Sequence, residues 1–416
     1  MDEGPITDGT TAQESTRLGI VAFAKLFPND AEPFRGIFVA DQMAATAGAV
    51  SWAVVAPVPW VPKAAARALG KPYVRGDRTH DGVRVYHPRY PVLPRRIAYA
   101  SVAPAIALTA RRSFERACAD VGARLIHAHD LYPSGAAARR LCAEADLPYV
   151  ITVHGSDLYS NLVNPRWRTE VREAAAAARA VVCVGTRLAH DCVAELGCDP
   201  ARTVVIPDTY DARRFTFVSR EPGARSVPHL VSLGRLSVEK GHDVLLRAMA
   251  ALQERRVRVT LEIVGDGPER EALERLRAEL GLERIVRFAG RLLDDDVAAA
   301  YAGADAFVLP SRAEGFGVAL VEALATGLPA VATRSGGPED IVLAGDGVLV
   351  EPDDAVALAD GIVRLVGNLE TYDTQRIAAR AAERFSPRQI GDRLVRLYGE
   401  ALAGRPLTGR LGGAAL

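Results

Sequence analysis

Ala306-Phe307-Val308-Leu309-Pro310-Ser311-Arg312-Ala313-Glu314-Gly315-Phe316-Gly317-Val318-Ala319-Leu320-Val321-Glu322 is the stretch on which the reading of the fold turns. Ala306–Leu309 is a short apolar run that fits a buried strand. Pro310 ends it, and Gly315 and Gly317 interrupt the chain before a helix-favouring run over Val318–Ala325. A strand, a glycine-containing loop and a helix in direct succession are part of a βαβ pattern, and open α/β sheets hold ligands at the carboxyl ends of their strands. Gly315 and Gly317 let backbone N–H groups come close to a ligand. The helix points its positive end at the same place, which favours an anion. Glu322 falls one turn into the helix and Glu314 in the loop before it. Two carboxylates so placed suit sugar or ribose hydroxyls. The plainer alternative is a glycine-rich loop with one surface and one partly buried glutamate.

Outward from this unit the pattern repeats. Leu230–Leu233, Val259–Val264, Val286–Ala289, Ala330–Ala332 and Gly347–Val350 read as strands, and His242–Glu254, Glu269–Leu280, Asp296–Ala302 and Ala355–Leu365 as helices. Upstream, Leu18–Phe23, Trp52–Pro57, Leu125–Ala128, Tyr149–Val153, Ala180–Val184 and Thr203–Ile206 are strands, with helical stretches such as Gly135–Ala145 and Pro165–Arg179 between them. Short apolar runs alternating with helices predict parallel sheets covered on both faces. The chain is expected to be α/β, with two doubly wound (Rossmann-like) domains at 17–207 and 208–385, joined in the polar stretch Ile206–Val227. Ser386 as N-cap and Pro387 at the first helical position open a last helix over 386–403. Residues 1–16 and 404–416 read as flexible tails.

The composition narrows the function. The 416 residues hold 51 Lys plus Arg and 51 Asp plus Glu, so no overall charge draws the chain to nucleic acid, and any anion site must be local. Cys118, Cys142, Cys183, Cys192 and Cys198 are odd in number and contain no C-x-x-C pair, which argues against a disulfide framework or a zinc site and fits a reducing, cytoplasmic setting. The acidic, polar first 16 residues are unlike a secretory signal. The apolar stretch between Arg96 and Arg111 contains Pro104 and is shorter than the ~20 residues that span a bilayer. Arg95, Arg96, Arg111, Arg112 and Arg116 flank it. An ordinary helix with solvated arginines is the favoured reading, and peripheral contact with the inner membrane face is the alternative.

Other strand ends carry unusual residues. Gly234-Arg235-Leu236-Ser237-Val238-Glu239-Lys240-Gly241 follows Leu230–Leu233; Arg235 and Lys240 could supply a forked and a point cation to a diphosphate, or be solvated charges at a helix start. His154-Gly155-Ser156-Asp157 follows Tyr149–Val153 and is either functional or a structural histidine. Gly36, in Arg35-Gly36-Ile37-Phe38-Val39, would admit close backbone approach before a helix. His127 and His129 share a strand face, but no third and fourth ligand accompany them, so no metal is expected. Asp294-Asp295-Asp296 directly precedes a helix, where aspartates cap N–H groups.

Together these motifs resemble family 4 of the retaining glycosyltransferases, from about Ile20 to Ala401. Five pieces carry the likeness in order: Phe27-Pro28 with Gly36-Ile37-Phe38-Val39; His127-Ala128-His129-Asp130; His154-Gly155-Ser156-Asp157; Gly234-Arg235-Leu236 with Glu239-Lys240-Gly241; and Glu314-Gly315-Phe316-Gly317 with Glu322 and Gly336-Gly337-Pro338-Glu339. Val264-Gly265-Asp266-Gly267-Pro268 adds to it. The resemblance implies the GT-B fold, two domains facing across a cleft, with the last helix packing back on the first. It implies a hexosyltransferase that uses a nucleotide diphosphate sugar, keeps the anomeric configuration and needs no metal or other cofactor. Arg235 and Lys240 would hold the diphosphate, and Glu322 the ribose. Glu314 with the backbone of Phe316, Gly317 and Val318 would hold the donor sugar, and His154 would meet it near the reacting carbon. Gly36, Asp157 and Arg291 complete the donor site, with the base near Gly290-Arg291. The leaving phosphate would take the acceptor's proton, in keeping with no obvious carboxylate beside His154 other than Asp157. Where the family has Ile-Pro-Asn-Gly, this chain has Ile206-Pro207-Asp208-Thr209-Tyr210-Asp211.

The first half resembles members that build cell-surface polysaccharides, through Val55–Pro62 and Asp81–Tyr90. That implies a lipid-linked saccharide acceptor in polysaccharide or glycolipid assembly. A small-molecule acceptor in a natural-product pathway, or a phosphorylase or epimerase on the same scaffold, are the alternatives.

Overall fold

In the computed structural model the described residues are 17–63, 73–91, 101–155, 158, 165–220 and 225–411. They form two lobes, each built on its own sheet.

The C-terminal sheet is parallel throughout. Its strands lie in the order Val286–Gly290, Thr260–Val264, His229–Leu233, Ala306–Leu309, Ala330–Thr333 and Gly347–Val350. Numbered in chain order they run 3-2-1-4-5-6, so the winding reverses between His229–Leu233 and Ala306–Leu309. A crevice opens at such a reversal because successive crossovers leave to opposite faces. The two loops that follow these strands are those carrying Arg235, Lys240 and Glu314.

The N-terminal sheet runs Thr203–Val205, Ala180–Cys183, Tyr149–Val153, Leu125–His129, Leu18–Ala24, Val50–Val55, Val83–Tyr86 and Arg78–His80. All neighbours are parallel except the last pair, a hairpin. Its winding reverses between Leu18–Ala24 and Leu125–His129. The hairpin turns at Asp81-Gly82, both at positive φ (46° and 81°), which is the Asp-Gly turn that matches strand twist. The expected strands lie in these two sheets with ends displaced by a residue or two. The hairpin and the helix Thr374–Phe385, capped by Asp373 through Arg376 N–H at 2.9 Å, were not anticipated.

Helix Pro387–Ala403 crosses to the N-terminal lobe. Ile390, Leu394, Leu397 and Tyr398 are buried there with Val39, Met43 and Trp52. The tail expected over 404–416 is docked as far as its description extends. Arg410 bridges to Val204, the Leu411 N–H donates to Thr203 O at 2.9 Å, and Leu407 is buried. Burial of one leucine and an added strand bridge outweigh the glycine-rich composition. Residues 1–16 and 412–416 lie outside the described residues.

Helix Val102–Val121 buries Val102, Ala103, Ile106, Ala110, Phe114 and Ala117 against the sheet and exposes Arg111, Arg112 and Arg116, with Arg111 paired to Glu144 at 2.6 Å. Arg95 and Arg96 lie outside the described residues. Among the described residues no helix is long and apolar enough to cross a membrane. The helix expected at Asp296 begins at Asp294, and its N-cap position falls to Leu293 with no side-chain cap hydrogen bond. Asp295 and Asp296 therefore sit inside the first turn, where their charge complements the positive end of the helix dipole.

Candidate active site

On the C-terminal lobe Lys240 and Glu314, 74 positions apart, meet directly. Lys240 Nζ donates to Glu314 Oε2 at 2.6 Å, and Ser311 Oγ donates to the same oxygen at 3.1 Å. Glu314 itself is held by its N–H to Ser335 O and by a bridge to Gly336. Gly317, with φ 113°, occupies the N-cap of helix Val318–Ala325, a conformation that L side chains rarely adopt. No side chain caps that helix, and among the described residues the N–H groups of Phe316, Gly317 and Val318 have no protein acceptor. Lys240 and these N–H groups are donors of the kind that can meet an anion or a hydroxyl. Phe316 is buried against Phe385, ring centroids 5.6 Å apart. Arg235 is exposed at the start of the same loop as Lys240, with no ion pair among the described residues.

Glu322 accepts from Tyr301 Oη at 3.1 Å. Burial pushes its carboxyl up to about 8; the Tyr301 hydrogen bond and Arg214 oppose this, and Asp41 and Asp211 add to it. Glu322 retains some surface, yet protein surrounds the carboxyl group.

On the N-terminal lobe, His154 ends strand Tyr149–Val153. Its ring lies 4.2 Å from the Phe38 ring, and its Nε2 is 3.4 Å from His129 Nδ1. His127 is fully buried between Tyr398 Oη (2.9 Å) and Thr152 Oγ1 (2.7 Å). Burial, and the neighbouring His154, lower its pKa to about 3; His129 is held well below the usual range by burial and by His127 and His154. This pair forms a neutral floor beneath His154, and among the described residues no group of three or more His, Cys, Asp or Glu is placed to hold a metal.

The reading that no carboxylate other than Asp157 accompanies His154 is corrected: Asp208 Oδ2 lies 3.7 Å from His154 Nδ1. Asp157 lies outside the described residues. The segment that replaces Asn-Gly is largely buried and has no residue at positive φ, with Thr209 Oγ1 donating to Phe385 O at 2.8 Å, so the lobe join needs no glycine turn. Gln42 Nε2 donates to Asp208 Oδ1 at 2.8 Å. Asp41 stands beside this group; burial, then Asp211 and Asp208, push its carboxyl up to about 7 against Arg214 and Arg213. Asp41 and Gln42 were not singled out from the sequence, and His129 stood out there only as a partner of His127 on one strand face and as part of the family motif. Only the helix register after Gly36 pointed to the first two.

Gly36, at φ 66°, caps helix Ile37–Thr46; a Cβ there would fall 2.3 Å from Leu26 O. It seats the helix that carries Phe38, Asp41 and Gln42, which is a structural reason for glycine at this position. The two lobes touch at the site. A Cβ on Gly315 would lie 2.1 Å from His154 O, Thr186 N–H donates to Asp340 Oδ2 at 2.5 Å, and Arg291 lies over the Phe34 ring at 5.6 Å. Lys240, Glu314, Gly315 and His154 are thereby linked in one crevice. Glu322 has Asp41 and Asp211 as charged neighbours.

The comparisons with known proteins agree with this construction. The family profile of the group 1 glycosyl transferases matches residues 219–382, and that of glycosyltransferase family 4 matches residues 49–214. A D-inositol 3-phosphate glycosyltransferase of Paenarthrobacter aurescens is 30% identical over 67% of this chain and 73% of its own length. The chain is a family 4 glycosyltransferase.

This glycosyltransferase is also similar to one assigned to teichuronic acid biosynthesis in Bacillus subtilis, 29% identical over 83% of this chain and 89% of the relative. Among solved structures, a sucrose-phosphate synthase of Thermosynechococcus elongatus superposes with a TM-score of 0.75 at 22% identity, covering 93% of this chain and all (100%) of the other. HepE of Anabaena, solved with UDP and glucose, superposes at 0.68 and 20% identity, covering 92% and 100%. At those identities the superpositions speak for the fold, which is GT-B.

Proposed function

We propose that this glycosyltransferase moves a hexose-type sugar from a nucleoside diphosphate donor to an acceptor hydroxyl with retention of configuration, in the assembly of a cell-surface polysaccharide or glycolipid. The observation that carries the proposal is the Lys240–Glu314 pair beside three open N–H groups, directly against the His154 backbone. The UDP and glucose bound to HepE, and the polymer pathway of the Bacillus relative, support the donor and acceptor classes.

The bond between the anomeric carbon and the β-phosphate oxygen breaks, and negative charge grows on the leaving diphosphate. Lys240, Arg235 and the N-terminus of helix Val318–Ala325 meet that charge in place before the reaction begins, so the proposal needs no metal. Glu314 and the N–H groups of Phe316 and Gly317 orient the sugar, and Glu322 accepts from the ribose. The acceptor oxygen attacks from the face the phosphate leaves, and its proton passes to the departing phosphate oxygen. Gly36 borders the donor on the N-terminal side, and Arg291 the base.

A panel of UDP-, GDP- and ADP-sugars read by thermal shift identifies the donor. Proton NMR of the product formed in EDTA then reads the anomer. An α-donor giving an α-product supports the proposal; a β-product, or activity that returns only with manganese, contradicts it.

A further inference from the structure

We propose that Asp208 is a positioning residue for His154: its carboxylate holds the imidazole with a proton on Nδ1 and keeps the ring basic. This deepens the proposed function and rests on His154 meeting the donor sugar.

The argument begins with which atoms can carry protons. Asp208 is 4% exposed, and its two oxygens have different neighbours. Oδ1 accepts from Gln42 Nε2 at 2.8 Å, while Oδ2 faces His154 Nδ1 at 3.7 Å. An ionised carboxylate only accepts hydrogen bonds, so the proton between Oδ2 and Nδ1 belongs to the histidine. At the other side of the ring, Nε2 stands 3.4 Å from His129 Nδ1, and Phe38 covers one face. His154 thus has a polar neighbour on each side of its ring, with 13% of its side chain exposed. A distance of 3.7 Å is beyond a hydrogen bond, and such contacts commonly shorten when substrate closes a site.

Among the described residues, charged and titratable groups approach the ring from both lobes and from the join between them. Strand Leu125–His129 brings His127 and His129, both neutral through burial. The lobe join brings Asp208. Behind it lies Asp41 of helix Ile37–Thr46, which has Asp208, Asp211, Arg213 and Arg214 as its own charged neighbours. The C-terminal lobe brings the Gly315 backbone, with Glu314 and Lys240 behind it. Among the described residues, Asp208 is the charged group at ion-pair distance from the His154 ring. Burial disfavours an imidazolium, and a carboxylate beside it favours one. Removing the Asp208 charge therefore lowers the pH at which His154 protonates.

Asparagine is the informative replacement because it keeps size and removes charge. With its oxygen occupied by Gln42, its NH₂ would face His154 Nδ1, a donor against a donor, and the ring would move its proton to Nε2. The nitrogen that faces His129 would change from acceptor to donor.

The experiment is ¹⁵N NMR of the full chain labelled at its eight histidines, with the His154 signals assigned by their loss in His154→Gln. The expected wild-type result is the Nδ1–H tautomer. In Asp208→Asn the titration midpoint falls by roughly one pH unit and the proton moves to Nε2. With the donor from the panel above, kcat falls about 10–100-fold, while the donor KM stays within about threefold. Asp208→Glu recovers part of the rate. An Nε2–H tautomer in the wild type overturns the proposal, and that spectrum decides even if the variant does not fold. An unchanged midpoint in Asp208→Asn overturns it as well. A shifted midpoint with unchanged kcat overturns the role in transfer and leaves the pairing standing. If His154→Gln itself retains full kcat, the reading of His154 as a sugar contact fails, whatever the spectra show.

Discussion

The two lobes build their halves of the crevice by different means. The C-terminal half is made largely from two loops that each follow a strand at the sheet reversal. Its parts are backbone N–H groups, a left-handed glycine and one ion pair. The N-terminal half is made from side chains of separate elements: Phe38 and Gln42 from a helix, His129 and His154 from two strand ends, Asp208 from the lobe join, and Tyr398 behind them from the last helix. A phosphate cradle depends on local backbone geometry, so it can be carried by a short motif. A polar cluster that orients one imidazole depends on packing between distant segments. Damage to the first half should therefore appear in catalysis and nucleotide affinity, and damage to the second in stability and in the state of His154.

The largest effect expected is on the cradle. Lys240→Ala should lower kcat by ~10²–10³, the range for loss of one preorganised donor, with little change in Tm. A Tm drop that accounts for the lost rate would make Lys240 structural and dissolve the contrast.

Glu322 sharpens it. Glu322→Gln should weaken nucleoside diphosphate binding by about 1.5–3 kcal/mol, measured by calorimetry at pH 8. Its carboxyl, ordinarily near 4.5, sits at about 8 in the folded chain, with burial the leading cause. Between those values the folded state keeps a proton that the unfolded chain has released, so this group's contribution to stability falls as pH rises. The Tm advantage of Glu322→Gln over wild type should therefore grow from pH 5 to pH 8. A pH-independent difference would mean that Glu322 is ionised throughout.

The N-terminal half gives the next effect. Tyr398→Phe removes the hydroxyl at His127 Nδ1 and leaves a buried nitrogen without that partner. A loss of about 1–3 kcal/mol is expected by chemical denaturation, with nucleotide affinity unchanged. The smallest effect is across the lobes: Phe34→Ala loses the Arg291 contact, worth about 0.5–1 kcal/mol at an exposed site, and should raise the donor KM less than tenfold.

The same contrast explains what the sequence could reveal. Strands such as Tyr149–Val153 and helices such as His242–Glu254 announce themselves by short-range apolar pattern, and the structure has them at those bounds. The pairing of Lys240 with Glu314 follows once both loops are put at one sheet reversal. Asp208 showed only as an odd residue where a turn was expected; its partner His154 comes from another strand end, and the intervening Gln42 has no motif. Asp41 looks like any helical aspartate until the lobes close around it. The ordered segment 404–411 was hidden because Leu407 and the bridge to Val204 act against a glycine-rich composition. Asp81-Gly82 was a legible hairpin signal, but the strands beside it are short.

The most direct test is titration of the free nucleoside diphosphates UDP, GDP and ADP into wild type and Lys240→Ala by calorimetry, both in EDTA. One diphosphate should bind the wild type without metal and bind the variant at least about tenfold more weakly, the cost of losing one charge-assisted contact. Equal affinity for the two proteins would place the pyrophosphate elsewhere and remove the basis for the crevice described above.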